Sequence, residues 1–152
     1  MRDELPNNIR QWYHDWFLID RFYTRWAKRY DLTYASLFTL YVLHGHHGCT
    51  PTYIAEFLSL SKQTVASTLR RMEEKGLVRH EESKRDRRSQ IVILTEKGKA
   101  FADGVMTDLY AMEQRAFARL TDGEIREMVR INRQLASAIQ AELEEDEDAS
   151  ER

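Results

Sequence analysis

The sequence predicts a mainly α-helical chain interrupted by one short β-hairpin. Three observations point there. Apolar residues recur at three- and four-residue steps near both ends of the chain, the mark of helices with one buried face. Only six glycines and two prolines occur in 152 residues, too little punctuation for a turn-rich all-β fold. A single β-branched run, Ile91-Val92-Ile93, stands past the middle.

A first helix is expected from about Asn8 to Tyr30, with Ile9, Trp12, Tyr13, Trp16, Ile19, Tyr23, Trp26 and Tyr30 along one face. All three tryptophans lie in it. These aromatics read as filler of a core or of a subunit interface, with a ligand-lining role as the alternative. A second helix, about Tyr34 to His44, carries Leu37, Phe38, Leu40, Tyr41 and Leu43. After it comes His44-Gly45-His46-His47-Gly48-Cys49. Imidazoles and a thiolate are good zinc ligands, but this spacing matches none of the paired-ligand zinc patterns, so the segment reads as a solvated connection. A metal- or thiol-responsive site on His44, His46, His47 and Cys49 is the alternative.

Thr50-Pro51 opens a short helix, because Thr50 can cap it and Pro51 at its first position forfeits no hydrogen bond. The break Ser59-Leu60-Ser61 leads into another helix, Lys62 to Lys75, with Ser61 as N-cap and Gly76 just past the end. Small Ala55 and Val65 allow the two to cross closely, which makes a helix-turn-helix. At about 100° per residue, Val65, Leu69 and Met72 face inward. Gln63, Ser67, Arg70 and Arg71 face outward, with Lys62 and Thr64 in an exposed first turn. That outer face can donate to phosphates and to base edges.

Leu77 to Glu82 and Gln90 to Leu94 read as two strands. Between them Ser83 to Ser89 holds Lys84, Arg85, Arg87 and Arg88, a hairpin tip too charged to bury. Two strands after a helix-turn-helix form a wing, and a wing arginine suits a narrow minor groove. Two helices close the chain. Thr95 caps Glu96 to about Leu120, with Phe101, Val105, Leu109 and Met112 on one stripe, and Thr121-Asp122-Gly123-Glu124 is a capping box opening the last helix. The expected architecture is therefore a winged helix-turn-helix with a helical dimerisation platform made by the first and last two helices.

Charge sharpens this reading. The chain carries 23 Lys and Arg against 25 Asp and Glu, a net −2 that by itself argues against a nucleic-acid partner. The distribution argues otherwise. Residues 61 to 98 hold ten basic and six acidic groups, while residues 142 to 152 hold seven acids and one arginine. The acidic end is expected to be a disordered tail. One cysteine makes no intramolecular disulfide, and no leader-like start or long apolar span is evident, so a cytoplasmic chain without membrane contact is expected. No nucleophile–base pairing, phosphate-cradling loop or metal-helix motif is present, so neither an enzyme nor a cofactor is expected.

With these residues in view, the sequence resembles the multiple-antibiotic-resistance regulator (MarR) family. The resemblance rests on Asp86-Arg87-Arg88-Ser89 followed by Leu94-Thr95-Glu96-Lys97-Gly98, similar to the family's wing signature D-x-R…L-T-x-x-G. Leu32-Thr33, Thr50-Pro51 with Ile54-Ala55, and Met72-Glu73-Glu74-Lys75-Gly76-Leu77-Val78 support it. The resemblance implies one domain over 1–141, with 1–31 and 99–141 as dimerisation helices, 32–98 as the winged helix-turn-helix, and 142–152 as the tail. It implies a homodimeric repressor of a palindromic double-stranded operator, released by a small effector. Lys62, Gln63, Thr64, Ser67, Arg70 and Arg71 would then lie over the major groove. Lys84, Arg85, Asp86, Arg87 and Arg88 would form the wing contacts, with Asp86 orienting Arg88. Trp16, Phe17, Tyr34 and Phe38 would line the effector crevice. The family's hydroperoxide sensors carry their reactive cysteine in the first helix, where this chain has none, and the ligands of its zinc-responsive branch are missing here.

Overall fold

The computed structural model describes residues 7–82 and 90–150. Its elements follow in order: α1 (Asn7–Ala27), a 3-10 turn (Lys28–Tyr30), α2 (Tyr34–Gly45), α3 (Pro51–Leu58), α4 (Lys62–Glu74), β1 (Val78–Glu82), β2 (Gln90–Leu94), α5 (Glu96–Phe117) and α6 (Asp122–Ser150). Two compact units are distinguished, residues 1–107 and 108–152.

Local chemistry sets most boundaries in the first unit. Thr33, Thr50 and Ser61 cap α2, α3 and α4, each hydroxyl accepting from the backbone N–H three residues on. Helix α1 stops at Ala27 rather than Tyr30, because Leu32 N–H returns to the Ala27 carbonyl and Asp31 turns left-handed at φ 54°. Helix α4 ends through a paired motif at left-handed Gly76 (φ 69°): Leu77 N–H donates to Met72 O and Gly76 N–H to Glu73 O. Leu77 has thereby spent its N–H on the helix, and the strand begins one residue later than expected.

Strands β1 and β2 pair antiparallel, Val78 opposite Leu94 and Glu82 opposite Gln90. A third segment joins them. Cys49 and Val92 exchange both backbone hydrogen bonds, at 3.1 and 2.8 Å. The expectation of a solvated connection is thus corrected in part: His46 and His47 are exposed, but Cys49 is buried against the sheet. Gly48 makes this possible. Its φ is 138°, and a Cβ there would sit 2.9 Å from Ile93 Cγ2.

The core of this unit gathers Leu37, Leu40 and Leu43 of α2, Ile54 of α3, Val65 and Met72 of α4, and Val78 and Val92 of the sheet, each with at most 2% of its surface exposed. Burying side chains of this size contributes roughly 1.5–3 kcal/mol each. Ala55 and Val65 are both buried, as close crossing of α3 and α4 requires.

In the second unit, the capping box at the start of α6 forms as expected. Thr121 Oγ1 accepts from Glu124 N–H at 3.2 Å, and the Glu124 carboxylate accepts from Thr121 N–H at 2.7 Å. Helix α6 continues through the acidic stretch to Ser150, where good helix formers and an i,i+4 bond from Gln140 to Glu144 favour it. No side chain of α6 is buried among the described residues, although Met128, Val129, Ile131, Ile139 and Leu143 are 38–58% exposed.

Candidate nucleic-acid interface

Helix α4 sorts its residues as the periodicity requires. Val65, Leu69 and Met72 are buried, and so is Thr68, which widens the inward arc. Lys62, Gln63, Arg70 and Arg71 are exposed. Two residues depart from the expectation. Thr64 is half-buried, its hydroxyl 2.8 Å from Ser61 Oγ, and Ser67 is half-buried with its hydroxyl donating to Thr64 O at 2.9 Å. Both hydroxyls therefore help hold the helix start.

The basic groups around α4 divide in a way that composition does not reveal. Lys75 Nζ donates to Asp31 Oδ2 at 2.6 Å and to Asp31 O at 2.8 Å. Arg79 pairs with Glu81, and Lys97 Nζ donates to Lys75 O at 2.6 Å. Lys62, Arg70 and Arg71 enter none of the ion pairs formed among the described residues. Among the described residues these three cations thus remain free on the exposed surface of α4, with the amide of Gln63 beside them. Such a face can neutralise phosphates and offer bidentate donors to guanine or adenine. The wing residues Lys84, Arg85, Asp86, Arg87 and Arg88 lie outside the described residues.

The aromatic candidates fall into two groups. Tyr34 and Phe38 meet at 4.6 Å between ring centroids, with Tyr23 5.5 Å from Phe38. Tyr34 donates its phenol to Asp20 Oδ1 at 3.3 Å, and burial together with that carboxylate holds the phenol above its ordinary pKa. Trp16 and Phe17 stack on each other at 6.4 Å and are 48% and 63% exposed.

The histidine-rich connection does not converge on a point. His44 Nε2 lies 3.0 Å from Asp103 Oδ1, the His46 ring packs edge-on against Tyr53, and Cys49 sits in the sheet with burial raising its thiol pKa. Among the described residues no group of three or more His, Cys, Asp and Glu is placed to hold a metal ion. The metal- or thiol-switch alternative is not favoured by this arrangement. His44, His47, Arg79, Ile93 and Asp103 instead border an open cleft of about 600 Å³ that periodicity does not reveal. Its polar side chains are largely engaged: His44 with Asp103, Lys99 with Glu96 at 2.6 Å, and Arg79 with Glu81, which lies outside the lining. No helix among the described residues is long and apolar enough to cross a membrane.

Known proteins share this arrangement. The MarR family model matches residues 30–89. The Bacillus subtilis organic hydroperoxide resistance transcriptional regulator is 35% identical over 68 residues, covering 45% of this chain and 46% of that protein. The chain spans about half the length of several curated relatives it matches, and these are transcriptional regulators. A MarR family regulator from Neisseria meningitidis superposes with a TM-score of 0.81 at 28% identity, over 93% of this chain and 99% of that one. The S. aureus MepR–DNA complex shares the fold, with a TM-score of 0.71 at 24% identity over 88% of this chain and 99% of that one. The MarR family model lies across the helix-turn-helix, and the fold of a MarR family regulator is shared nearly end to end.

Proposed function

We propose that the protein is a homodimeric, DNA-binding transcriptional regulator that represses a palindromic operator and is released by a small effector. The observation that carries the DNA-binding reading is the outer face of α4, where Lys62, Arg70 and Arg71 stand exposed beside Gln63 and enter no ion pair among the described residues. Lys62, Gln63, Thr64, Ser67, Arg70 and Arg71 constitute the recognition surface in this reading. Thr64 and Ser67 contribute mainly through the helix start they stabilise. The wing, Lys84 to Arg88, adds minor-groove contacts, with Arg88 entering and Asp86 orienting it. Binding energy comes largely from counterion release, and two copies would read half-sites about 10–10.5 bp apart.

Dimerisation is supported by apolar surface that a single copy leaves uncovered. Tyr13, Trp16, Phe17, Ile19 and Phe22 on α1 and Met128, Val129, Ile131 and Ile139 on α6 are all more than a third exposed. A 29-residue helix with no buried side chain among the described residues has little to stabilise it alone. Residues 1–31 and 99–141 serve as the platform in this reading, and 32–98 as the DNA-binding part. The effector crevice is built from Tyr34 and Phe38, with Trp16 and Phe17 contributed along α1. The effector must bind the DNA-competent and incompetent states unequally, because equal binding shifts nothing.

Selection of duplexes from a random pool by the purified protein, followed by titration of variants on the selected site, tests the reading. Arg71→Ala and Arg88→Ala each weaken binding at least about tenfold, since a hydrogen bond to a charged group is worth roughly 1.5–3 kcal/mol. Unchanged affinity of Arg71→Ala would remove α4 as the reading helix.

A further inference from the structure

Lys75 is one of the ten basic groups that make the 61–98 segment look like a DNA-binding surface. Its surroundings give it a different task. The end of α4 is held from two directions. From α5, Thr95 Oγ1 donates to Gly76 O at 2.7 Å, Thr95 N–H donates to Leu77 O at 3.0 Å, and Lys97 Nζ donates to Lys75 O at 2.6 Å. Three successive carbonyls after the helix are therefore tied to the first residues before and inside α5. From the other side, the Lys75 ammonium takes both the carboxylate and the backbone carbonyl of Asp31, 44 residues away in sequence. Asp31 can offer both because its left-handed backbone, at φ 54° and closed by N–H donation to Lys28 O, brings them to one point. The same lysine also holds the Asp31 carboxyl below its usual pKa.

We propose that Lys75 is a positioning residue for DNA recognition: paired with Asp31 and backed by Lys97, it pins the C-terminal end of α4 to the corner between α1 and α2. The proposal rests on reading α4 as the recognition helix. Its physical content is leverage. A helix of 13 residues is about 20 Å long, so a tilt of about 10° about its far end moves Lys62 and Gln63 by roughly 3 Å. Base-edge hydrogen bonds tolerate only a few tenths of an ångström. Phosphate neutralisation tolerates more, because charge acts over a Debye length of about 8–10 Å. Loss of the strut should therefore cost specific binding and spare non-specific binding. The strut also starts just past the 3-10 turn that follows α1, the helix whose apolar face is uncovered in one copy, so it connects the segment after that helix to the reading surface.

The competing role is that Lys75 contacts a phosphate itself. The two roles separate in a double-mutant cycle on the full chain: Lys75→Gln, Asp31→Asn and the double variant, with Lys75→Arg as the conservative change. Fluorescence anisotropy would be recorded on a duplex the protein has selected and on an unrelated duplex, from 50 to 200 mM salt. As a positioning pair, each single variant and the double lose about the same three- to tenfold on the selected duplex. They stay within about twofold on the unrelated one and keep the wild-type salt slope, while Lys75→Arg recovers most of the loss. As a phosphate contact, Lys75→Gln weakens both duplexes and flattens the slope by about 0.9 per subunit, while Asp31→Asn is neutral or tightens binding; that result overturns the proposal. Equal binding by all variants overturns it too. A wild-type protein that selects no duplex removes the DNA-binding reading itself, and the positioning role with it. Circular dichroism of each variant checks folding, and Asp31→Asn alone decides the matter if Lys75→Gln does not fold.

Discussion

Replacing Gly98 by alanine should be among the most damaging small changes available to this chain. Gly98 is buried in the first turn of α5, and its N–H donates to the capping Thr95 hydroxyl at 2.9 Å. A Cβ at this position would lie 1.8 Å from the Leu77 carbonyl oxygen, 2.8 Å from its carbonyl carbon and 3.2 Å from its Cα. Every atom it meets is backbone, so no rotamer change relieves the overlap. The chain at Leu77 and the start of α5 must separate by more than about 1 Å, and the Thr95 bonds to Gly76 and Leu77 stretch with them. Overpacking costs roughly 1–3 kcal/mol and each disrupted hydrogen bond about 1 kcal/mol, so a loss of about 3–4 kcal/mol is expected. That is a large share of the ~5–15 kcal/mol that domains possess. Gly104 supplies the control. It lies six residues later in the same helix with nothing within 4 Å of its would-be Cβ, so alanine there should stabilise by about 0.5–1 kcal/mol. The assay is urea unfolding at one fixed protein concentration, because self-association would couple to stability. A Gly98→Ala midpoint indistinguishable from wild type, or equal losses at both glycines, would refute the steric argument.

Two further outcomes follow from the local chemistry. Burial raises the Cys49 thiol pKa, so less thiolate is present at pH 7–8 than on a free cysteine. Iodoacetamide labelling of the folded protein should run at least about tenfold slower than in denaturant, with its pH dependence inflecting above that of a free cysteine; free-thiol rates in the native state would contradict the buried placement. Thr121→Ala should cost about 1 kcal/mol by removing the cap of α6. The Glu124 carboxyl, held low by the Thr121 N–H and hydroxyl, contributes its part above the unfolded pKa and loses it as pH falls through the lowered folded value. Acid titration of helicity in wild type and Glu124→Ala should therefore differ at neutral pH and converge at low pH, and parallel curves would argue against the box.

What the sequence alone determined here is local or periodic. Thr50, Ser61, Thr95 and Thr121 are legible as caps because a cap and its target lie three residues apart. The buried face of α4 is legible because 3.6-residue periodicity places Val65, Leu69 and Met72 together whatever surrounds them. The wing signature and the glycine at 98 are legible as motif, but the reason for that glycine is not: only the approach of Leu77 O, 21 residues earlier, explains it. The tertiary structure alone decided which cations are free. Lys75 and Arg79 look no different from Arg70 and Arg71 in sequence, yet among the described residues the first two are paired and the last two are not. It likewise placed Cys49 against Val92 and His44 against Asp103, partners 43 and 59 residues apart. Contacts of that range leave no period and no spacing rule, because they depend on where the chain returns after several helices have packed.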